Sequence, residues 1–283
     1  MSTAAAMSDG APGSALPRIS VVVPSYNQAA YLPAAIDSLL DQHYPDLEIL
    51  VMDGGSTDGS AEILRAYMPR LAVAVSEPDR GQAHAINKGM LQATGEVQSW
   101  LNSDDLLMPG SLQAVGGIFA RFPRVQWLTG QPANLGPDGK LRHFPLRTGH
   151  WQGAVRRGWY HGRALGFIRQ EGTFWRRSLW EQAGGAVDEA RHYTMDYELW
   201  KRFAERAPLV TVDQTLAAFR EHAAQKTANL EGYYAEAGVR LPHVARWVMV
   251  PARAALSPFI WATSPRVLRQ TSGWMLRGFP PDA

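Results

Sequence analysis

The stretch Val97-Gln98-Ser99-Trp100-Leu101-Asn102-Ser103-Asp104-Asp105 passes from an apolar strand pattern into two adjacent carboxylates. Adjacent carboxylates repel each other and are costly to bury, so a cation or a hydroxyl-rich ligand is expected beside them. Hard divalent cations are commonly held by one or two carboxylates together with the phosphates of a substrate. The stretch therefore predicts a strand that ends at a metal and nucleotide-diphosphate site. The alternative is that Asp104 caps the helix beginning near Pro109 and that Asp105 is solvated.

Strand and helix patterns alternate upstream of this stretch. Strands are predicted over 19–23, 47–52, 71–76 and 97–101, and helices over 31–40, 61–67 and 82–93. Such alternation is typical of an α/β fold with a mostly parallel sheet and right-handed crossovers. Ligands bind beyond the carboxyl ends of parallel strands, which is where Tyr26, Asp53, Asp79 and Asp104 fall. We therefore expect these four residues to meet in one cleft.

The pattern changes after about residue 125. A hairpin tip is predicted at Gly136-Pro137-Asp138-Gly139, a helix near 178–183 that stops at Gly184-Gly185, and a longer helix over 196–206. We divide the chain into a flexible tail over 1–17, a first subdomain over 18–125, a second over 126–226, and a helical, basic and aromatic extension over 227–283.

Composition excludes several classes of protein. The chain has 283 residues, 46% hydrophobic and 19% charged, which is ordinary for a globular protein. It has no cysteine, so disulfides, cysteine zinc sites and thiol catalysis are excluded. Its eight histidines show no His-Glu-x-x-His spacing. Residues 2–17 lack the charged and apolar regions of a signal peptide, so we expect a cytoplasmic protein without a nucleic-acid partner.

The extension has an uneven charge distribution. From Arg240 to Ala283 it carries six arginines against one acid, interleaved with tryptophan and phenylalanine. Its apolar part, 244–262, contains two arginines and two prolines, which favours lying on a membrane surface over spanning the membrane. The alternative is a helix that packs on the domain or on a second subunit in a homodimer.

The predicted cleft lacks the usual phosphate-binding loops. Neither a Gly-x-Gly-x-x-Gly turn nor a Gly-Lys-Ser/Thr loop is present, so phosphates would have to be neutralised by a metal. Asp53 is placed to accept a hydrogen bond from a nucleobase or a ribose, and its alternative role is to form a turn with Gly54 and Gly55. Asp104 and Asp105 should point to opposite sides of an extended chain.

Four further residues could carry chemistry in the second subdomain. Asp196 opens a helix, where it either caps the first turn or takes a proton from an acceptor hydroxyl. Glu171 is the rival base. His222 and Lys226 follow the last strand pattern and could bind metal or diphosphate, although Lys226 could equally lie in a solvated loop.

Five motifs occur in a fixed order along the chain. They are Val22-Val23-Pro24-Ser25-Tyr26-Asn27, Asp53-Gly54-Gly55-Ser56-Thr57-Asp58-Gly59, Asp79-Arg80-Gly81-Gln82, Asn102-Ser103-Asp104-Asp105 and Met195-Asp196-Tyr197-Glu198-Leu199-Trp200. Together they closely resemble a family 2 glycosyltransferase of the GT-A fold, over roughly 18–226. The resemblance implies a Rossmann-like sheet flanked by helices, with nucleotide-sugar binding over 18–125 and acceptor binding and catalysis over 126–226.

The resemblance also implies roles for single residues. The reaction would be an inverting transfer from a nucleotide-diphosphate sugar, with a UDP-sugar favoured, that depends on Mn²⁺ or Mg²⁺. Asp105 would be the principal metal ligand, assisted by Asp104 and His222, and Lys226 would bind diphosphate. Asp196 would be the base, with Glu171 sharing its role because Met195 replaces a glutamate of the family. The donor nucleotide would be held by Pro24, Tyr26, Asn27, Asp53, Asp79, Arg80 and Asp104.

The resemblance bears on the acceptor as well. The chain lacks the Gln-x-x-Arg-Trp motif of processive members, so one sugar would be added per encounter. The extension would suit a polyprenyl-linked glycan acceptor of surface-polysaccharide assembly, on the inner face of the cell membrane. Two other readings stay open. A nucleotidyltransferase would need a glycine- and arginine-rich loop after the first strand, and a non-catalytic nucleotide-sugar-binding or scaffold protein would be expected to have lost one of its acids.

Overall fold

The structure is a computed structural model that describes residues 15–223, 225–226, 229–239, 243–271 and 273–280, with only the backbone described over 243–250. Of the tail predicted over 1–17, residues 1–14 lie outside the described residues.

The elements follow one another along the chain with short connections. The strands are β1 Ile19–Ser25, β2 Leu47–Asp53, β3 Val73–Ser76, β4 Val97–Trp100, β5 Leu106–Leu107, β6 Trp127–Thr129, β7 Ala133–Leu135, β8 Leu141–His143, β9 Thr173–Arg176, β10 Val210–Val212, β11 Ala217–Arg220, β12 Arg266–Gln270 and β13 Gly273–Arg277. The helices are α1 Leu32–Leu40, α2 Ser60–Tyr67, α3 Gln82–Gln92, α4 Ser111–Arg121, α5 Gln152–Arg156, α6 Arg177–Gln182, α7 Met195–Ala204, α8 Leu230–Glu236 and α9 His243–Thr263.

A mostly parallel sheet dominates the described part of the chain. Its nine strands run in the order β13-β12-β10-β6-β9-β4-β1-β2-β3. Strand β1 pairs in parallel with β2 and β4, whereas β9 is antiparallel to both β4 and β6. Strands from both predicted subdomains therefore share one sheet. A smaller sheet, β5-β11-β7-β8, contains the hairpin predicted at Gly136 to Gly139. The α/β class and the mostly parallel sheet are confirmed.

Both faces of the sheet are covered by helices. Every residue of β1 is buried, as expected for a central parallel strand. Helices α1 and α4 contribute to the apolar cluster that contains Val21 and Val23, and helices α3, α6 and α7 contribute to the cluster that contains Val22. Trp100 stacks on Trp200 with ring centroids 5.8 Å apart. This packing holds in place the helices that begin near the carboxyl ends of the strands.

Strand β1 continues two residues past its predicted end, through Pro24 to Ser25. The oxygen of Val22 accepts a hydrogen bond from Leu101 on the β4 side, and the alternation of a strand directs the nitrogen of Pro24 to that same side. The ladder with β4 stops at Trp100, so the missing N–H of proline breaks no bond there. Pro24 therefore lies at the point where the sheet gives way to the cleft.

The extension differs from the helical prediction. Helices α8 and α9 form, but 266–270 and 273–277 are strands β12 and β13. Strand β12 pairs in parallel with β10, and Val267 is fully buried. The apolar pair Val267-Leu268 supplies the buried part of this strand, and its last two residues, Arg269 and Gln270, are exposed. No helix within the described residues is long and apolar enough to cross a membrane.

A candidate active site with two adjoining cavities

A cavity of about 710 Å³ lies beyond the carboxyl ends of β1, β2 and β4. We call it the strand-end cleft. Its wall contains Pro24, Tyr26, Asp79, Asp104 and Lys226 of the predicted site, together with Ser25, Gln28, Gly54, Gly55, Pro78, Gly81, Gln82, Ala85, Asn102, Ser103, His192, Phe219 and Gln225. The prediction of a shared cleft therefore holds for Tyr26, Asp79 and Asp104. Asp53 is not part of the wall.

Asp53 is fully buried behind the strand-end cleft. Its Oδ2 accepts hydrogen bonds from the backbone N–H of Ser56 at 3.0 Å and from the hydroxyl of Ser76 at 2.7 Å, and its Oδ1 accepts one from the Ser56 hydroxyl. These contacts are those of the turn-forming alternative. A direct bond from Asp53 to a nucleobase stays a prediction, and it would require one of these partners to be displaced.

Asn27 joins the two loops that border the cleft. Its backbone has a positive φ of 51°, its N–H donates to the Ser56 hydroxyl at 2.7 Å, and its Oδ1 accepts the N–H of Thr57 at 2.9 Å. These bonds hold the loop after β1 against the loop after β2. Tyr26, on the first of these loops, is 62% exposed, so its ring is available to a ligand.

Residues of the third motif, Asp79-Arg80-Gly81-Gln82, lie partly in the cleft wall and partly on the outer surface. Asp79 lines the cleft and accepts the N–H of Gly81 at 2.6 Å. A Cβ on Gly54 would lie 2.8 Å from Oδ2 of Asp79, so a larger residue there would displace the Asp79 side chain. Arg80 is outside the cleft wall, because its Nη2 binds Glu189 at 2.6 Å. Binding of the nucleotide by Arg80 stays a prediction.

The two adjacent carboxylates do point in different directions. Asp104 lies on the cleft wall, and its Oδ2 is 2.9 Å from Nε2 of His222, which is outside that wall. Asp105 is only 1% exposed, and its oxygens accept the N–H of Arg220 at 3.0 Å and the amide N–H of Asn102 at 3.2 Å. Burial, with contributions from Glu171 and Asp104, raises the pKa of Asp105 well above its ordinary value.

The Asp104 and His222 pair offers an oxygen and a nitrogen that a divalent cation such as Mn²⁺ can take as ligands. Their separation of 2.9 Å is that of a direct hydrogen bond, which a bound cation would replace. No group of three potential ligands occurs among the described residues, so the predicted set of Asp104, Asp105 and His222 is not assembled. The role of Asp105 as principal ligand stays a prediction, and it would require its side chain to turn away from Arg220.

A second cavity of about 350 Å³ adjoins the strand-end cleft. We call it the side cavity. It contains both predicted bases, Glu171 and Asp196, and Tyr233 of α8 lies in its wall. The two cavities share six wall residues, which are Gln82, Asn102, His192, Phe219, Gln225 and Lys226. A molecule in one cavity can therefore meet a molecule in the other.

Two carboxyl groups in the side cavity have raised pKa values. Burial raises the pKa of Asp196 to about 6, and the charges of Glu171 and Glu236 add to this effect. Glu171 is 3% exposed, and its Oε1 has no hydrogen-bond partner among the described residues. Burial also raises the pKa of Glu171. A carboxyl with a pKa near neutrality can both accept and release a proton, as general base catalysis requires.

Lys226 lies where the two cavities join. Its Nζ donates to Oε1 of Gln82 at 3.0 Å and is 3.5 Å from the carbonyl oxygen of His192. Gln82 in turn donates to Oδ1 of Asn102 at 2.7 Å. These contacts place the ammonium group of Lys226 beside the carboxylate motif, and its binding of diphosphate stays a prediction.

Sequence reasoning missed several wall residues. Gln82 and Asn102 belong to the third and fourth motifs, and this membership could have predicted that they line the cleft. The side-chain amide of Gln170 also has no hydrogen-bond partner in the described part of the chain. In the sequence, only its position next to Glu171 indicated that Gln170 would lie in the side cavity. Nothing in the sequence indicated Tyr233, because α8 is distant from the motifs.

Residues 20–147 match the family model described as Glycosyl transferase family 2. This segment is therefore a domain of the glycosyltransferase family 2 type. The chain is 27% identical over 211 residues to an uncharacterized glycosyltransferase of Rickettsia prowazekii (strain Madrid E), covering 75% of this chain and 66% of the relative. It is 39% identical over 92 residues to a putative teichuronic acid biosynthesis glycosyltransferase of Bacillus subtilis (strain 168), covering 31% of this chain and 36% of the relative.

The chain thus spans less than two thirds of the length of either relative. Among solved structures, it is similar to a mannosyltransferase from Pyrobaculum calidifontis in complex with GDP-Man and Mn²⁺, with a TM-score of 0.58 and 22% identity. That match covers 87% of this chain and 76% of the mannosyltransferase. The predicted GT-A fold is confirmed.

Proposed function

We propose that this glycosyltransferase transfers one sugar, with inversion, from a nucleotide-diphosphate donor to a hydroxyl group of a glycan acceptor in polysaccharide synthesis. The observation that carries this proposal is the junction of two cavities, one bordered by Asp104, which pairs with His222, and the other by Asp196. The Bacillus relative, named for teichuronic acid biosynthesis, supports a polysaccharide product.

The strand-end cleft would hold the donor. Tyr26 and Asp79 line it where a nucleoside would lie, and Lys226 provides a positive charge for the diphosphate. Asp104 and His222 would hold Mn²⁺ or Mg²⁺, together with phosphate oxygens and water. When bound, the cation would neutralise the charge that develops on the departing diphosphate. A bound Mn²⁺ in the Pyrobaculum structure supports this assignment.

The side cavity would hold the acceptor. Asp196 takes the proton from the acceptor hydroxyl while the hydroxyl oxygen bonds to the anomeric carbon on the face opposite the diphosphate. The bond from the anomeric carbon to the phosphate oxygen breaks at the same centre, so the configuration inverts. Glu171 would accept a hydrogen bond from the acceptor through its unpaired Oε1. One sugar per encounter is supported by the missing Gln-x-x-Arg-Trp motif.

The decisive experiment is a thermal-shift panel of UDP, GDP, dTDP and CMP, each with and without Mn²⁺. A ligand at about 100 times its dissociation constant stabilises the folded state by roughly 2.7 kcal/mol. We expect a single nucleotide, with UDP favoured, to raise the melting temperature only when Mn²⁺ is present. The absence of a shift with every nucleotide would contradict the proposal and favour a non-catalytic scaffold.

We further propose that the acceptor is lipid-linked and that α9 contacts the inner face of the cell membrane. Leu256 and Phe259, on neighbouring turns of α9, are 44% and 59% exposed. Apolar side chains of this size, on a segment with an excess of arginine, are typical of peripheral membrane contact.

Substitution tests this contact better than truncation, because removal of residues 241–283 would also remove β12 from the sheet. The double variant Leu256→Ser and Phe259→Ser should lose flotation with anionic phosphatidylglycerol vesicles. Leu91→Ser on α3, where Leu91 is 83% exposed, is the matched control and should float as the unmodified protein does. Equal flotation of all three proteins would contradict membrane contact, and a dimer that dissociates only in the double variant would indicate a second subunit.

A further inference from the structure

The carboxylate of Glu236 lies against the loop that precedes α7. Its Oε2 accepts the N–H of His192 at 2.9 Å, and its Oε1 accepts the N–H of Tyr193 at 3.1 Å and that of Thr194 at 2.8 Å. Oε1 also accepts the hydroxyl proton of Thr194 at 2.6 Å. Three consecutive backbone N–H groups and one hydroxyl thus converge on a single side chain from a distant helix.

This loop leads directly into the helix that carries the proposed base. Thr194 is the N-cap residue of α7 and makes no side-chain capping bond to its own helix. Asp196 follows as the second residue of that helix. A carboxylate near a helix N-terminus is stabilised by the helix dipole, and hydrogen bonds to a charged acceptor are stronger than neutral ones. Glu236 therefore supplies, from α8, an anchor that α7 lacks in its own sequence.

Other contacts fasten the same two segments together. The amide of Asn229 donates to the Tyr193 hydroxyl at 2.9 Å, and Nη1 of Arg191 donates to the carbonyl oxygen of Glu236 at 3.3 Å. Tyr233, one turn before Glu236, lines the side cavity together with Leu230 of the same helix. Helix α8 thus both borders the acceptor cavity and holds the loop of the base.

We propose that Glu236 is a positioning residue that fixes the backbone of residues 192–194 and thereby aims the carboxylate of Asp196 at the acceptor hydroxyl. This inference rests on the proposed function, because it assumes that Asp196 is the base. A misplacement of about 1 Å at a reacting group can cost about 100-fold in rate. Rate should therefore depend on Glu236 although it does not touch either substrate.

The charge of Glu236 affects a measurable quantity, the pKa of Asp196, which a merely structural role would not change. The charged or titratable groups that bear on Asp196 are Glu171, which lies just before β9, and Glu236 and Tyr233 on α8. Both glutamates raise the pKa of Asp196, in addition to the larger effect of burial. Removal of the Glu236 charge should therefore lower the pKa of Asp196 and move the acidic limb of the rate profile to lower pH.

The test compares Glu236→Ala, Glu236→Gln and the control Glu231→Gln, an exposed glutamate on the same helix. The assay is release of nucleoside diphosphate from a UDP-sugar, with water as the acceptor and Mn²⁺ present. We expect kcat to fall about 10- to 100-fold in Glu236→Ala, with unchanged Mn²⁺-dependent UDP affinity. Glu236→Gln should shift the acidic limb to lower pH, and Glu231→Gln should match the unmodified protein.

Amide hydrogen exchange over residues 192–197 gives a second readout that requires no activity. Exchange should be faster in Glu236→Ala and unchanged in Glu231→Gln. If Glu236→Ala keeps the kcat of the unmodified protein, or if exchange over this loop does not change, the positioning role is overturned. An unmodified protein that releases no nucleotide would instead count against the proposed function, while exchange would still test the contact itself. If Glu236→Ala does not fold, Glu236→Gln carries the same tests.

Discussion

The strand-end cleft and the side cavity are built in different ways. Behind the cleft, the carboxylate of Asp53 is bonded by Ser56 and Ser76, which lie at most 23 residues away. In the side cavity, Glu171 and Gln170 have polar atoms without partners in the described chain, and the loop before Asp196 is held by a helix more than 40 residues away. Buried polar groups are normally satisfied. Within the described residues, the wall of the cleft has one such group without a partner, the Ser25 hydroxyl, whereas the wall of the side cavity has them on Trp100, Gln170 and Glu171. The side cavity therefore depends more on a ligand to satisfy its polar groups.

The largest effect is expected in the side cavity. Asp196→Asn removes the proposed proton acceptor but keeps the shape of the side chain, so kcat should fall by about two to four orders of magnitude. Binding of UDP with Mn²⁺ should be nearly unchanged, because Asp196 does not line the strand-end cleft. Steady-state kinetics and calorimetry measure both quantities. Normal turnover would remove Asp196 from the role of base.

The second-largest effect is expected on nucleotide binding in the strand-end cleft. Asp104→Asn should weaken Mn²⁺-dependent UDP binding about 100-fold, because Asp104 faces the cleft beside His222. Asp105→Asn should weaken it less, because Asp105 is buried against Arg220. The comparison is read by calorimetry with and without Mn²⁺. The opposite order would show that Asp105 turns into the cleft when the cation binds, as the family resemblance implies.

The sequence was sufficient for much of the cleft and less so for the side cavity. Motifs at strand ends predicted that Tyr26, Asp79 and Asp104 would meet, because parallel strands end at one edge. The direction of a side chain depends on its partners in the fold. Arg80 binds Glu189 and Asp53 binds Ser76, and neither partner could be chosen from spacing. Glu236 could not be found, because no local pattern records a contact between α8 and the loop before α7.

A pH dependence should distinguish the two cavities further. Asp196 must be deprotonated to act as a base, and its pKa is raised to about 6. As the pH falls through 6, the protonated fraction rises, so kcat should fall about tenfold for each further pH unit. Turnover measured between pH 5 and 8 at saturating donor tests this. A rate that stays constant down to pH 5 would contradict the assignment of the base.

The smallest effect is expected on the free energy of unfolding. It is seen by comparing a polar group that has a hydrogen-bond partner with one that has none among the described residues. Ser76→Ala removes a hydrogen bond to the buried carboxylate of Asp53, so the free energy of unfolding should fall by about 1.5 kcal/mol. Gln170→Leu removes an amide that has no partner in the described chain, so stability should be unchanged or should rise. Urea unfolding of the two variants measures both. Equal losses would mean that the side cavity is as self-sufficient as the cleft.

The pairing of β12 with β10 also affects how the protein is made. Strand β10 is synthesised well before residues 266–270, so one of its edges has no partner until those residues are available. An unpaired strand edge is a template for aggregation. A nascent chain that pauses in α9, or a fragment that stops there, would expose that edge. Expression of shortened forms should therefore be limited by solubility before it is limited by loss of the active site.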